Sequence, residues 1–110
     1  MKNEYKLRYL PLFYDDFSDI LRYIRKVLQN EKAAEDLVSE VESAILERLQ
    51  CPEAYEQYRA KRQHPYPYYR IYVKHYVIYY VVIEETDEQK IMEVRRMLHE
   101  RQEWKKYLRQ

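Results

Sequence analysis

The run Tyr76–Glu84, YVIYYVVIE, most constrains this chain, because a strand that is apolar on both faces has to be covered on both sides. It is preceded by Tyr69–Val73, a shorter strand joined to it through Lys74-His75, and followed by a reversal at Thr86-Asp87-Glu88 and a last strand, Lys90–Leu98. The three strands form a meander. The two-residue turn is a point of strain, since the turns that suit a tight hairpin use positive φ and the chain has no glycine. Beyond the last strand lies a charged helical tail, Glu100–Arg109, with Trp104, Tyr107 and Leu108 at three- and four-residue spacing. That stripe either folds back on the core or presents its cations to a target.

The N-terminal half supplies cover for the sheet. Tyr5, Leu7 and Tyr9 alternate with Lys6 and Arg8, the period of a strand with one wet face. Pro11 stops that strand and suits the first turn of a helix, which extends to Leu28 with Phe13, Phe17, Ile20, Leu21, Ile24 and Val27 on one side. Asp15, Asp16 and Asp19 near its start and Arg22, Arg25 and Lys26 near its end complement the helix dipole. Asn30 caps a second helix, Glu31–Gln50, whose apolar side is Ala34, Leu37, Val38, Val41, Ile45 and Leu49. Pro52 ends it. Residues 53–68 follow neither period and contain Pro65 and Pro67, so they form a loop with at most one helical turn near 54–59. The element order is β-α-α-β-β-β in a single α+β domain, residues 1–110.

Composition narrows the function. Hydrophobic residues at 46% are enough for one core in 110 residues, and 35% charged residues with no long apolar run argue against a membrane span. The start, MKNEYKLRYL, lacks an apolar stretch with a cleavage site, which predicts a cytoplasmic protein. Without glycine there is no phosphate-binding Gly-rich loop, and no nucleotide cofactor is expected. The single Cys51 excludes an intramolecular disulfide and the usual zinc ligand sets, and reads as a small half-buried residue at a helix end. His64, His75 and His99 are too scattered to predict a metal site. Residues 1–58 carry 8 Lys/Arg against 12 Asp/Glu, whereas residues 59–110 carry 12 against 7. A nucleic acid or an acidic protein would therefore be met by the C-terminal half.

Within that half the cations cluster as Lys61, Arg62 and His64 in the loop, Arg70 and Lys74 on the first strand of the meander, and Arg95, Arg96, His99 and Arg101 at the end of the last. By the period of two, Arg70, Tyr72 and Lys74 share one face and line a groove. Cations holding phosphate beside a proton-transferring imidazole are what RNA cleavage at a 2′-hydroxyl requires, because negative charge builds on phosphorus. The same residues suit an acidic protein equally well. Most of the 14 tyrosines are expected to pack, and some to stack on bases.

Nearly the whole chain resembles the RelE/ParE toxins of bacterial type II toxin–antitoxin pairs, from YKLRYLPLFYDDFSDILRYI to YRIYVKHYVIYYVVIEETDEQKIMEVRRMLHERQEW. The tail VRRMLHERQEW is similar to that of the ParE-like branch. The resemblance implies two helices packed on a twisted, mainly antiparallel four-stranded sheet, and a growth-inhibiting, plasmid-stabilising toxin neutralised by an antitoxin encoded nearby. It implies one of two targets: DNA gyrase, inhibited without chemistry, or messenger RNA cut on the ribosome. In the YoeB-like ribonuclease pattern Glu53 and His99 fall near the places of the glutamate and histidine, while the arginine place reads Val77. Arg70 or Arg95 would have to substitute. A RelE-like set would draw on Lys61, Arg70, Arg95 and Arg101, with Arg62, Lys74, Arg96 and Lys105 as further target contacts. Neither a metal nor a cofactor is implied.

Overall fold

The computed structural model describes residues 5–58, 66–102 and 104–108, with the side chains of Trp104 and Lys105 outside the described set. Strand β1 (Tyr5–Tyr9) leads through Leu10 into helix α1 (Pro11–Arg22), which continues as a π-helical turn over Tyr23–Val27. Helix α2 (Glu31–Arg48), strands β2 (Tyr69–Val73), β3 (Tyr76–Glu84) and β4 (Lys90–His99), and the short α3 (Trp104–Tyr107) complete the described elements. The sheet order is β1-β4-β3-β2, antiparallel except that β1 runs parallel to β4. This is the expected α+β order, with β3 interior as its two-sided apolar run requires.

The helices cover one face of the sheet. Phe13, Ile24, Ala34, Leu37, Val41 and Ile45 pack there against Tyr69, Ile71, Val73, Ile78, Tyr80, Val82, Met92, Val94 and Met97. The other face carries a second, smaller cluster of Tyr68, Val77, Tyr79, Val81, Leu98 and Leu108. Leu108 is almost fully buried, so this part of the tail does fold back onto the core. Asn30 caps α2 as expected, its Oδ1 accepting the Ala33 N–H at 3.0 Å.

Several local expectations are corrected. Cys51 is exposed rather than half-buried. The helical turn near 54–59 is replaced, within the described residues, by bends and an isolated bridge in which Tyr58 and Tyr68 exchange backbone bonds of 2.7 and 2.8 Å. Such pairing extends the sheet edge and satisfies two polar groups that a lone helical turn would leave open. Gln29, after the π-helical turn, and Lys74, in the β2–β3 turn, have φ of 51° and 53°. Both are positions where glycine would carry no steric cost, so the expected strain in the glycine-free hairpin is real.

The aspartates of α1 do not act as dipole partners, since no acidic residue lies in its first turn. Asp16 instead reaches the sheet. Strand β1 ends at Tyr9, opposite Val94, and leaves the last residues of β4 without a neighbour on that side. The Asp16 carboxylate takes that place: Oδ2 accepts the Met97 backbone N–H at 2.9 Å, while Arg96 donates from Nε to Oδ2 at 2.8 Å and from Nη2 to Oδ1 at 2.9 Å. Both side chains are largely buried, at 16% and 14% exposure. Asp16→Ala should cost about 2–3 kcal/mol, because it strands a backbone donor and a largely buried guanidinium. Asp19→Ala, which breaks only an exposed pair with Arg22, should cost less than about 0.5 kcal/mol. Urea denaturation of the two variants checks this, and equal losses would refute the strand-capping role of Asp16.

Candidate functional site

A bulge in β4 decides where the cations of the last strand go. Tyr79 pairs with Arg96 but Tyr80 pairs with Val94, so Arg95 is an extra residue with no partner in the register. Alternation restarts after it, which is why Val94 and Met97, three residues apart, both enter the helix-side core. Arg96 is tied to Asp16 at the strand edge and donates from Nη1 to the Tyr107 carbonyl at 3.2 Å. Its guanidinium is held above its ordinary pKa, first by the hydrogen bonds to Asp16, against burial.

Arg95 joins the sheet face away from the helices. Its Nε donates to Glu93 Oε1 at 2.9 Å and its Nη1 to the Tyr68 hydroxyl at 3.4 Å. From β1, Arg8 donates through Nε and Nη2 to Glu93 Oε2 at 2.9 and 2.6 Å. Among the described residues Glu93 is the one buried charged side chain, 3% exposed between two guanidiniums. A carboxylate buried this deeply needs such partners, and it in turn fixes two arginines that would otherwise repel.

On the same face Arg70 lies 3.8 Å above the Tyr58 ring and 5.7 Å from that of Tyr79, and donates from Nη1 to the Tyr72 hydroxyl at 3.1 Å. Cation–π contact and hydrogen bond together hold this side chain at the surface. Burial pushes the Tyr79 hydroxyl above its ordinary pKa although the Arg70 charge opposes it.

The remaining candidates lie elsewhere. Lys74 does not share the face of Arg70 and Tyr72: positive φ in the turn breaks the alternation, and its Nζ sits 3.4 Å from Glu40 of α2, on the helix side. His99 ends β4, with Nδ1 accepting the Arg101 backbone N–H at 3.1 Å and its ring 5.6 Å from Tyr76, edge-on. His75 stacks beside it at 6.4 Å and contacts Glu100 through Nδ1 at 3.3 Å. Arg101 is exposed next to this pair. Glu53 is far away. It accepts from the Tyr5 hydroxyl at 2.7 Å and from Lys90 at 2.8 Å. Lys90 and His99 are the first and last residues of β4, so Glu53 and His99 are separated by roughly 30 Å of strand. Burial raises the Glu53 carboxyl, but Lys90 and Tyr5 outweigh it and hold it below its ordinary pKa. Lys61, Arg62 and His64, and the side chain of Lys105, lie outside the described residues.

Thus Arg70 and Arg95 come together with tyrosines on the open face, His99 and Arg101 meet at the hairpin end, and Glu53 joins neither group. Sequence reasoning missed Arg8 and Glu93. A readable signal existed in Glu93-Val94-Arg95, opposite charges two apart on a strand, whereas the meeting with Arg8 depends on the β1–β4 pairing. Among the described residues no cluster of three or more His, Cys, Asp or Glu is placed to hold a metal, and no helix is long and apolar enough to cross a membrane.

A helical hairpin on one face of a mixed four-stranded sheet is the build expected of the RelE/ParE superfamily of toxins. The family model described as ParE toxin of the type II toxin–antitoxin system, parDE, matches residues 7–104, and the chain belongs to that family. No individual curated protein matches the sequence.

Replacing Glu93 by glutamine keeps its shape but removes the negative charge that Arg8 and Arg95 share. Glu93→Gln should lower stability by about 2–3 kcal/mol in chemical denaturation, and the loss should shrink at high salt, where repulsion between the half-exposed Arg8 and the more buried Arg95 is screened. An unchanged midpoint would show that the buried carboxylate is not what holds the two arginines in place.

Proposed function

We propose that this toxin of a type II toxin–antitoxin pair, which has an antitoxin as partner, acts on DNA gyrase in the cytoplasm and inhibits it without chemistry of its own. The separation of Glu53 from His99 along β4 carries this reading. A glutamate and a histidine acting on one 2′-hydroxyl must both lie within hydrogen-bond reach of it. Here Glu53 is also occupied by Lys90 and Tyr5. Val77, at the place of the expected strand arginine, is buried in the open-face cluster.

A ribosome-dependent endoribonuclease is the competing reading. It is favoured by Arg70 and Arg95 on one face, cations suited to stabilising charge on phosphorus, with His99 as general acid or base at the hairpin end and Arg101 beside it.

Expression without antitoxin should arrest growth, and co-expression of the antitoxin should restore it. Purified toxin should then inhibit supercoiling by gyrase while a labelled message on translating ribosomes stays intact, and His99→Ala should leave the gyrase effect within about twofold, as expected of a group that takes no part in chemistry. Cleavage of the message that disappears in His99→Ala and Arg95→Ala would replace gyrase by the ribosome. Undisturbed growth at strong expression would mean that this toxin is inactive.

A further inference from the structure

The sheet has two outer strands, β1 and β2, and the fold treats them differently. Along β2 the chain closes its own edge: Tyr58 and Tyr68 exchange backbone bonds of 2.7 and 2.8 Å, and Arg48 of α2 donates from Nη1 to the Arg70 carbonyl at 2.9 Å. At the end of β4 the Asp16 carboxylate takes the Met97 N–H. Among the described residues β1 has no such closure. Leu10 donates to the Val94 carbonyl at 2.9 Å, and alternate residues of a parallel strand face the partner, so Lys6 and Arg8 also turn their backbone groups to β4. The N–H and C=O groups of Tyr5, Leu7 and Tyr9 therefore point outward, an open template for another strand.

The flanks of this edge specify what fits it. On the helix side Tyr5, Leu7 and Tyr9 are half-buried, and the Tyr14 ring, 5.4 Å from that of Tyr9, belongs to a residue 55% exposed. Burial, then Tyr14 and Glu42, push the Tyr9 hydroxyl above its ordinary pKa, so α2 passes beside the strand. Leu46, one turn beyond Glu42, is 57% exposed. On the open face Arg8 is held by Glu93, while Lys6 keeps 62% of its side chain in solvent with an exposed contact to Glu85 at 3.7 Å. A second copy of the chain is a poor occupant, since antiparallel pairing of two β1 edges about Leu7 sets Lys6 of one against Arg8 of the other. Nucleic acid has no main chain with which to continue the ladder.

We propose that a segment of the antitoxin adds to β1 as a further strand, with apolar side chains over Tyr14 and Leu46 and acidic ones beside Lys6. Main-chain bonds to Tyr5, Leu7 and Tyr9 give affinity, and the alternating side chains give specificity. The inference rests on the antitoxin partnership and is independent of the target.

The test uses purified full-length toxin, free and in complex with the antitoxin encoded beside it, and follows amide hydrogen exchange residue by residue by NMR. In the free toxin Tyr5, Leu7 and Tyr9 should exchange at nearly unprotected rates while Lys6 and Arg8 are protected, and in the complex the three outward amides should slow by about 100-fold. Leu46→Glu should weaken the complex about tenfold by setting a charge against the apolar side of the added strand, whereas Val27→Glu, at the exposed hairpin tip, should leave it within about twofold. Thermal melts confirm that each variant is folded; if Leu46→Glu is not, exchange in the parent complex carries the test. A complex that forms while the outward amides exchange as in the free toxin overturns the proposal and leaves the partnership standing. Equal weakening by the two variants also overturns it. Failure of the complex to form removes the partnership and the proposal with it. Protection of the outward amides in free toxin that grows with concentration assigns the edge to a second copy, and likewise overturns it.

Discussion

Every buried backbone donor has to find an acceptor, and in this protein the requirement is hardest to meet along β4. That strand is interior, but its two sides are of unequal length: β3 accompanies it to His99, whereas β1 stops at Tyr9. Asp16 closes the difference by presenting a carboxylate where a carbonyl of a longer β1 would stand. Because it also holds Arg96, the same group fixes α1 against the sheet and, through the Arg96 bond to the Tyr107 carbonyl, connects to the tail that lays Leu108 on the open face. One acidic side chain thus links the helix layer, the sheet and the C-terminal cover.

The two faces of the sheet obey different rules. Toward the helices the contacts are almost wholly apolar, and the tyrosines there orient themselves by their hydroxyls: Tyr80 donates to the Pro52 carbonyl at 2.7 Å and accepts from Arg48, and its own ionisation is pushed up to about 12, mainly by burial. On the opposite face charge is kept near the surface by pairing. Glu93 is sunk between arginines and Arg70 rests on a tyrosine ring, so the cations are held in place. The helix side thereby holds the larger apolar core, and the open side a smaller one beside its paired charges.

Much of the fold was legible because its signals are local. The alternation of Tyr5, Leu7 and Tyr9, the Asn30 cap and the Lys74-His75 hairpin recur in the structure residue for residue. What was not legible depends on pairings remote in sequence. The parallel union of β1 with β4 brings Arg8 to Glu93, and no spacing in the chain announces it. The bulge at Arg95 sends adjacent arginines to different partners, which a strict period of two does not allow for. Asp16 reads equally as a helix-dipole residue or as a strand cap, and only the short reach of β1 distinguishes them. The candidate site was therefore legible as a set of residue types on the C-terminal half, and not as a geometry.

The union of β1 with β4 also has a bearing on biosynthesis. Arg8 and Glu93 are 85 residues apart, so the first strand to leave the ribosome has no partner until β4 emerges. Until then α1 lacks the strand that Asp16 caps and Arg8 lacks its carboxylate. A nascent or prematurely terminated chain that stops before Lys90 therefore holds a helical hairpin and half a sheet, without the assembled open face. In a chain of this toxin family the β1–β4 junction is thus the last part of the sheet to be completed, and the finished open face exists only in finished molecules.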